Sequence, residues 1–298
     1  TKVPLCFGAP AGAGGHRGDI MLKRILVLLG ETPSSVAARD YAFRLAQDSG
    51  AAVTGLAGVD LSAMHAPSFG RTGATAFGRK AEADLRQEAS ASSHRLHDAY
   101  EAACTQEGLE FEWLSFEGDS LEALTLAAEV RDLLVTGCDT AFQGGKLASP
   151  LPDMLSRLLA RAPRPVVVCG EDHTAEGAVL VAYDGSLPAM RALQMFTLLG
   201  AWAGRAVHVV SVSSKQDEAE RTASAAGSYL RSHGYAVTEV PMATRVDPAE
   251  VLRMQAIAVK AGTLVMGSYG HTGLREALFG SSTSKLVEDP PCALFVYH

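Results

Sequence analysis

Val179-Leu-Val-Ala-Tyr183, Asp184-Gly-Ser-Leu-Pro188, a helical run from Ala189 to about Trp202 and then Ala206-Val-His-Val-Val-Ser-Val212 form one continuous stretch. It reads as strand, polar turn, helix, strand. Two apolar strands separated by a helix cannot be joined as a hairpin, so the unit is a βαβ crossover in a parallel sheet.

The same order occurs once more, starting at Leu22. A strand (Ile25 to Leu29), a polar turn (Gly30 to Ser35), a helix (Val36 to Ser49) and a second strand (Ala52 to Val59) follow one another. The two halves also close alike. Asp132-Leu-Leu-Val-Thr-Gly137 answers Gly262-Thr-Leu-Val-Met-Gly267, and Ala162-Pro-Arg-Pro-Val-Val-Val168 answers Pro290-Pro-Cys-Ala-Leu-Phe-Val296. The chain is an internal duplication, with about five strands and four helices expected in each half. The organisation expected is a flexible leader over 1–20, a first domain over 21–172, a short polar linker bounded by Gly170 and Gly177, and a second domain over 177–298. The first half is the longer one. Its excess falls in residues 61–79, read as an insertion or lid ahead of a charged helix from Lys80 to Glu107.

Composition narrows the classes. The chain has 298 residues, 47% of them hydrophobic and 20% charged, which is globular material sufficient for two domains. A net charge of −7 gives no footprint for nucleic acid or an anionic membrane. No apolar run reaches the roughly 20 residues of a membrane span. Five scattered cysteines without a C-x-x-C pair argue against a disulfide framework or zinc site, and a reducing cytoplasm is the expected location. The histidines show no metal-ligand spacing. Met190, Met195 and Met254 are read as core.

The functional signal lies near the C-terminus. Leu264-Val-Met-Gly267-Ser-Tyr-Gly270 is followed, nine residues on, by Gly280-Ser281-Ser282, a glycine loop between an apolar strand and a helix start. Glycines let backbone approach a ligand, and the N–H groups of the following helix offer donors and the positive end of a dipole. That suits a phosphate chain.

Four features together resemble the universal stress protein family in its tandem form: Val181-Ala-Tyr-Asp184-Gly-Ser186, Val246-Asp-Pro-Ala-Glu-Val-Leu252, the G-x2-G-x9-G-[ST] loop, and Pro291-Cys-Ala-Leu-Phe-Val296. The resemblance covers about residues 22 to 298. It implies an α/β fold of two tandem, open-twisted, five-stranded parallel sheets flanked by helices, of the Rossmann-like adenine nucleotide α-hydrolase type, paired through their last strands (Val166 to Cys169 against Leu294 to Tyr297) as a pseudo-dimer. It also implies an ATP site, with ADP or AMP as other occupants and Mg²⁺ arriving on the phosphates. Asp184 would meet the adenosine portion, Val212 the adenine, and Met266 and Gly267 the ribose and phosphates. Gly270, Gly280, Ser281 and Ser282 would cradle the triphosphate, with His271 beside it. A homodimer of such chains is compatible with the pattern, and the protein partner is left open. The acidic residue usual before the third-motif strand is replaced by Gly262-Thr263, whereas the first half keeps Asp132.

The first half is expected not to bind in this way. Gly30 stands in place of Asp184, Cys138-Asp-Thr140 in place of Ser268-Tyr-Gly270, and Pro152-Asp153 in place of Gly280-Ser281. Proline removes a donor, and the carboxylates would repel a polyanion. The leading reading is therefore a nucleotide-dependent regulatory protein with one ATP site per chain, acting in stress response. Two other readings remain open: a slow ATP hydrolase or adenine-nucleotide transferase using Asp184 or His271, and a nucleotide-independent interaction module.

Overall fold

Residues 20–60, 74–142, 153–268 and 281–298 are described in a computed structural model. The first half runs β1 (Arg24–Leu28), α1 (Pro33–Ser49), β2 (Ala52–Asp60), α2 (Ala74–Glu107), β3 (Glu112–Gly118), α3 (Ser120–Ala128), β4 (Leu133–Gly137), α4 (Asp153–Arg161) and β5 (Val166–Cys169). The second runs β6 (Ala178–Ala182), α5 (Leu187–Leu199), β7 (Val207–Ser213), α6 (Gln216–Ser232), β8 (Val237–Ala243), α7 (Pro248–Ala258), β9 (Ala261–Gly267), α8 (Ser281–Glu288) and β10 (Ala293–Tyr297).

Each half is a parallel sheet, ordered β3-β2-β1-β4-β5 and β8-β7-β6-β9-β10. The sheets fuse where β5 and β10 pair antiparallel, Val166 against Val296, Val167 against Phe295 and Val168 against Leu294. This is the expected pseudo-dimer within one chain, and it removes two sheet edges. Strand residues alternate between two buried faces, which is why the strands read as near-continuous apolar runs. On one face Val27, Val167, Val181 and Phe295 pack beneath α1, α2, α5 and α6. On the other, Leu26, Val168, Leu264 and Leu294 pack against α3, α4, α7 and α8. Both cores run without a break through both halves.

The duplication extends to the caps. Thr32 and Ser186 cap α1 and α5 by accepting from Ser35 N and Ala189 N, and both helices carry a proline in their first turn. Both end on a left-handed glycine, Gly50 at φ 72° and Gly200 at φ 67°, where any side chain would be strained. Asp119 and Asp247 cap the starts of α3 and α7, accepting from Leu121 N and Glu122 N and from Ala249 N. The Val246-Asp-Pro motif is thus a helix start, with Asp247 also paired to Lys285 of α8.

Two details depart from the sequence reading. Residues 74–79, grouped with the insertion, are already the opening of α2, while 61–73 lie outside the described residues. Met195 packs against the core, but Met190 and Met254 are exposed. At 100° per residue, Ala189, Ala192, Leu193 and Phe196 turn Met190 outward, and Val251, Leu252 and Ala256 do the same to Met254. Asp132 accepts from the N–H groups of Lys23 and Arg24, both at 2.9 Å, and so ties β4 to β1. Gly262 cannot be replaced in kind, because a Cβ there would overlap the carbonyl oxygen of Glu176 in the linker.

The linker is pinned by His173. Its Nδ1 accepts from Gly170 N at 2.7 Å, and its Nε2 lies 3.1 Å from the Pro290 carbonyl, to which it must donate. The ring is therefore neutral, and burial holds its pKa below the ordinary 6.5 despite the opposing carboxylates of Asp172 and Asp289. A histidine depressed in the folded state contributes stability that is complete above its unfolded pKa and is lost as pH falls through the folded one. Denaturant midpoints should consequently fall from pH 7.5 to pH 5, and His173→Gln should flatten that dependence. An unchanged slope in the variant would show that His173 does not carry it.

Candidate functional site

In an open parallel sheet, a ligand crevice forms at the strand C-termini where neighbouring connections leave to opposite faces. The strand order puts that point between β6 and β9 in the second half and between β1 and β4 in the first.

At the second-half mouth, β6 runs into Tyr183 and Asp184. The Asp184 Oδ1 accepts from Ser186 N at 2.9 Å, and Gly185 takes a left-handed φ of 76°. This Asx turn places the exposed Asp184 carboxylate beside the N-terminus of α5. The turn is supported from β7, where buried Ser211 donates to the Tyr183 carbonyl at 2.6 Å. Val212, also on β7, is half-buried against the lower core. Met266 is only 5% exposed and belongs to that core, so its side chain is a packing group. Gly267 has a steric duty, since a Cβ would lie 2.7 Å from Ala189 N and from Pro188 C, backbone atoms of the α5 start. Beyond it, Ser268 N donates to Tyr297 O at 2.9 Å. The Ser268 side chain is fully buried, and its hydroxyl has no partner among the described residues. A buried hydroxyl without a partner costs about 1–3 kcal/mol. Sequence reading passed over Ser268, although it follows Gly267 directly. Gly270, His271 and Gly280 lie outside the described residues, as do the side chains of Ser281 and Ser282, whose backbone opens α8.

At the first-half mouth the start of α1 is occupied by the chain's own groups. Asp139, after β4, accepts hydroxyls from Thr32 (2.8 Å) and from Ser34, at the start of α1. Thr140 bonds Ser35 Oγ at 2.6 Å and accepts from Gly137 N at 3.0 Å. An internal carboxylate thus occupies the anion-favouring end of α1. A phosphate arriving there would meet a fixed negative charge. Cys138 is half-buried, and burial together with Asp139 raises its thiol pKa, which makes it a packing residue.

Among the described residues one group has metal-ligand spacing, His97, Asp98 and Glu101, with ligand atoms within 4.8 Å of one another. These residues neighbour one another on a single face of α2, away from both strand-end mouths. None of the described helices is long and apolar enough to cross a membrane.

Known structures share this architecture. A universal stress protein from Archaeoglobus fulgidus is 18% identical, with 92% of this chain and 97% of that chain covered at a TM-score of 0.66. A protein of unknown function from Pseudomonas aeruginosa is 17% identical, with 94% of each chain covered at a TM-score of 0.52. No curated protein matches the sequence. The family profile matches twice, over residues 21–170 and again over 177–298. With two such matches in tandem across nearly its whole length, the chain belongs to the universal stress protein family.

Proposed function

We propose that the second half holds ATP at the ends of β6 and β9, one nucleotide per chain, and that its occupancy regulates the protein in a stress response. The observation that carries this is the difference between the two mouths: at the first, Asp139 holds the start of α1, whereas the second presents the exposed Asp184 beside the start of α5 and a Ser268 hydroxyl without a partner among the described residues. Asp184 supplies an acceptor for a ribose hydroxyl or the adenine amine. Val212 offers apolar contact to the ring, and the backbone at Gly267 and Ser281 leads into the phosphate-facing loop with Gly270, His271, Gly280 and Ser282. Mg²⁺ comes with the nucleotide, held chiefly by phosphate oxygens. In this reading residues 21–172 form a structural unit and 177–298 the binding unit.

Calorimetry with ATP tests the site. A hydrogen bond to a charged group contributes about 1.5–3 kcal/mol, so Asp184→Ala should weaken ATP by about tenfold or more. Mass spectrometry of nucleotide released on denaturation should find about one adenine nucleotide per chain. Absence of binding at millimolar ATP would favour an interaction module instead. We propose holding rather than rapid turnover. Multiple turnovers per minute, lost in His271→Ala with binding retained, would reverse that assignment.

A further inference from the structure

We propose that the first half carries a second binding site, for a small uncharged ring compound, in the cleft between α1, α2 and the ends of β1 and β2. It is independent of the nucleotide reading of the second half.

The cleft lies between α2 and strand ends that differ from those of the second half, with Gly30 in place of Asp184 and Gly58 in place of Val212. Ser92, Ser93 and Leu96 of α2 face Gly30, Ala57 and Gly58 across a cavity of about 200 Å³. Phe142 closes its far side, and meets Phe116 edge to face at 4.8 Å. A second lobe of about 260 Å³ continues between α1 and α2, against Val36, Ala99 and Tyr100. Leu29, Gly30, Glu31 and Leu96 line both lobes. Side chains of little bulk at the strand ends leave the space, and leucine and aromatic groups line it, as in small-molecule sites.

Charge selects the ligand. The anion-favouring start of α1 is held by Asp139. Each guanidinium on the cleft already holds a carboxylate, Arg95 that of Glu31 at 2.7 Å and Arg39 that of Asp40 at 2.7 Å. The Tyr100 hydroxyl donates to the Val53 carbonyl, so this residue presents its ring. An uncharged ring fits this lining, with Ser93 able to reach a single polar atom, and a phosphate or carboxylate does not.

Saturation-transfer NMR on the full chain, with indole as the uncharged probe and indole-3-acetate as its anionic counterpart, tests both parts. Indole should bind at least about tenfold more tightly than indole-3-acetate, and ATP should not displace it. Ser93→Trp fills the first lobe and Ala99→Trp the second, both from partly or fully exposed helix positions. Each should weaken indole about tenfold with unchanged circular dichroism, and if Ser93→Trp does not fold, Ala99→Trp decides. Asp184→Ala should leave indole binding intact, which separates failure here from failure of the ATP site. Indole that does not bind, that ignores a filled lobe, or that binds no better than its acetate overturns the proposal.

Discussion

Trp202→Ala should destabilise the whole chain by about 3–5 kcal/mol, the usual cost of removing a large buried aromatic side chain. Trp202 follows α5 in the second half and is completely buried. Its ring packs on Phe196 at 5.2 Å and on Phe295 of β10 at 5.4 Å, next to the strand that joins the sheets. Its Nε1 donates to the Tyr41 hydroxyl of α1 at 3.1 Å, and that hydroxyl bonds Thr263 of β9 at 2.8 Å. One side chain therefore ties a helix of the first half to the sheet of the second. Because both cores run through both halves, the loss should not remain local. The chain has two tryptophans, so Trp113 on β3, at the far edge of the first half, becomes the sole reporter in the variant. Its emission should shift at the same lowered temperature as the far-ultraviolet circular dichroism. A Trp113 transition that keeps its wild-type midpoint while half of the dichroism melts early would mean that the halves unfold separately.

The fold was legible because each of its units is written locally. Apolar runs of strand length, polar turns ending in Thr32-Pro33 or Ser186-Leu-Pro188, and closing strands that recur in the same order all read directly as βαβ units. The resemblance to a known family added the pairing of β5 with β10, which no local pattern specifies. The site was legible in part. Asp184 was named through the resemblance to a known family, and the structure puts it at the second-half mouth. Met266 was assigned to the ligand, yet it shares the face of Leu264 two residues earlier and so turns into the core. Asp139 was read as a charge that repels phosphate, but its bonds to Thr32 and Ser34 join residues 107 and 105 positions apart. Such contacts follow from tertiary packing, and no periodicity reports them. Gly267 posed a similar problem, since a glycine for close ligand approach and a glycine for close helix approach look alike in sequence.

That ambiguity gives the sharpest functional test, a pair of matched substitutions. Gly267 and Gly137 occupy the same place in the two halves, at the end of the strand beneath a helix start. A Cβ at Gly267 would come within 2.7 Å of Ala189 N and Pro188 C, and one at Gly137 within 2.6 Å of Ser34 C and 2.7 Å of Ser35 N. In both cases the obstacle is backbone in the first turn of a helix, which yields only if the helix moves. Gly267→Val and Gly137→Val should each cost about 1–3 kcal/mol, the range for an overpacked core, and should lower denaturant midpoints to a similar degree. Their effects on ATP should diverge. Displacing α5 shifts the Asp184 turn and the helix end beside it, so Gly267→Val should abolish measurable ATP binding in calorimetry under conditions where the protein remains folded. Displacing α1 disturbs a mouth whose helix start Asp139 already holds, so Gly137→Val should bind ATP within about twofold of the parent chain, a difference of only about 0.4 kcal/mol. Equal loss in both variants would place the functional nucleotide contact on the junction rather than in the second half. Retained binding in Gly267→Val would separate the nucleotide from β9 altogether.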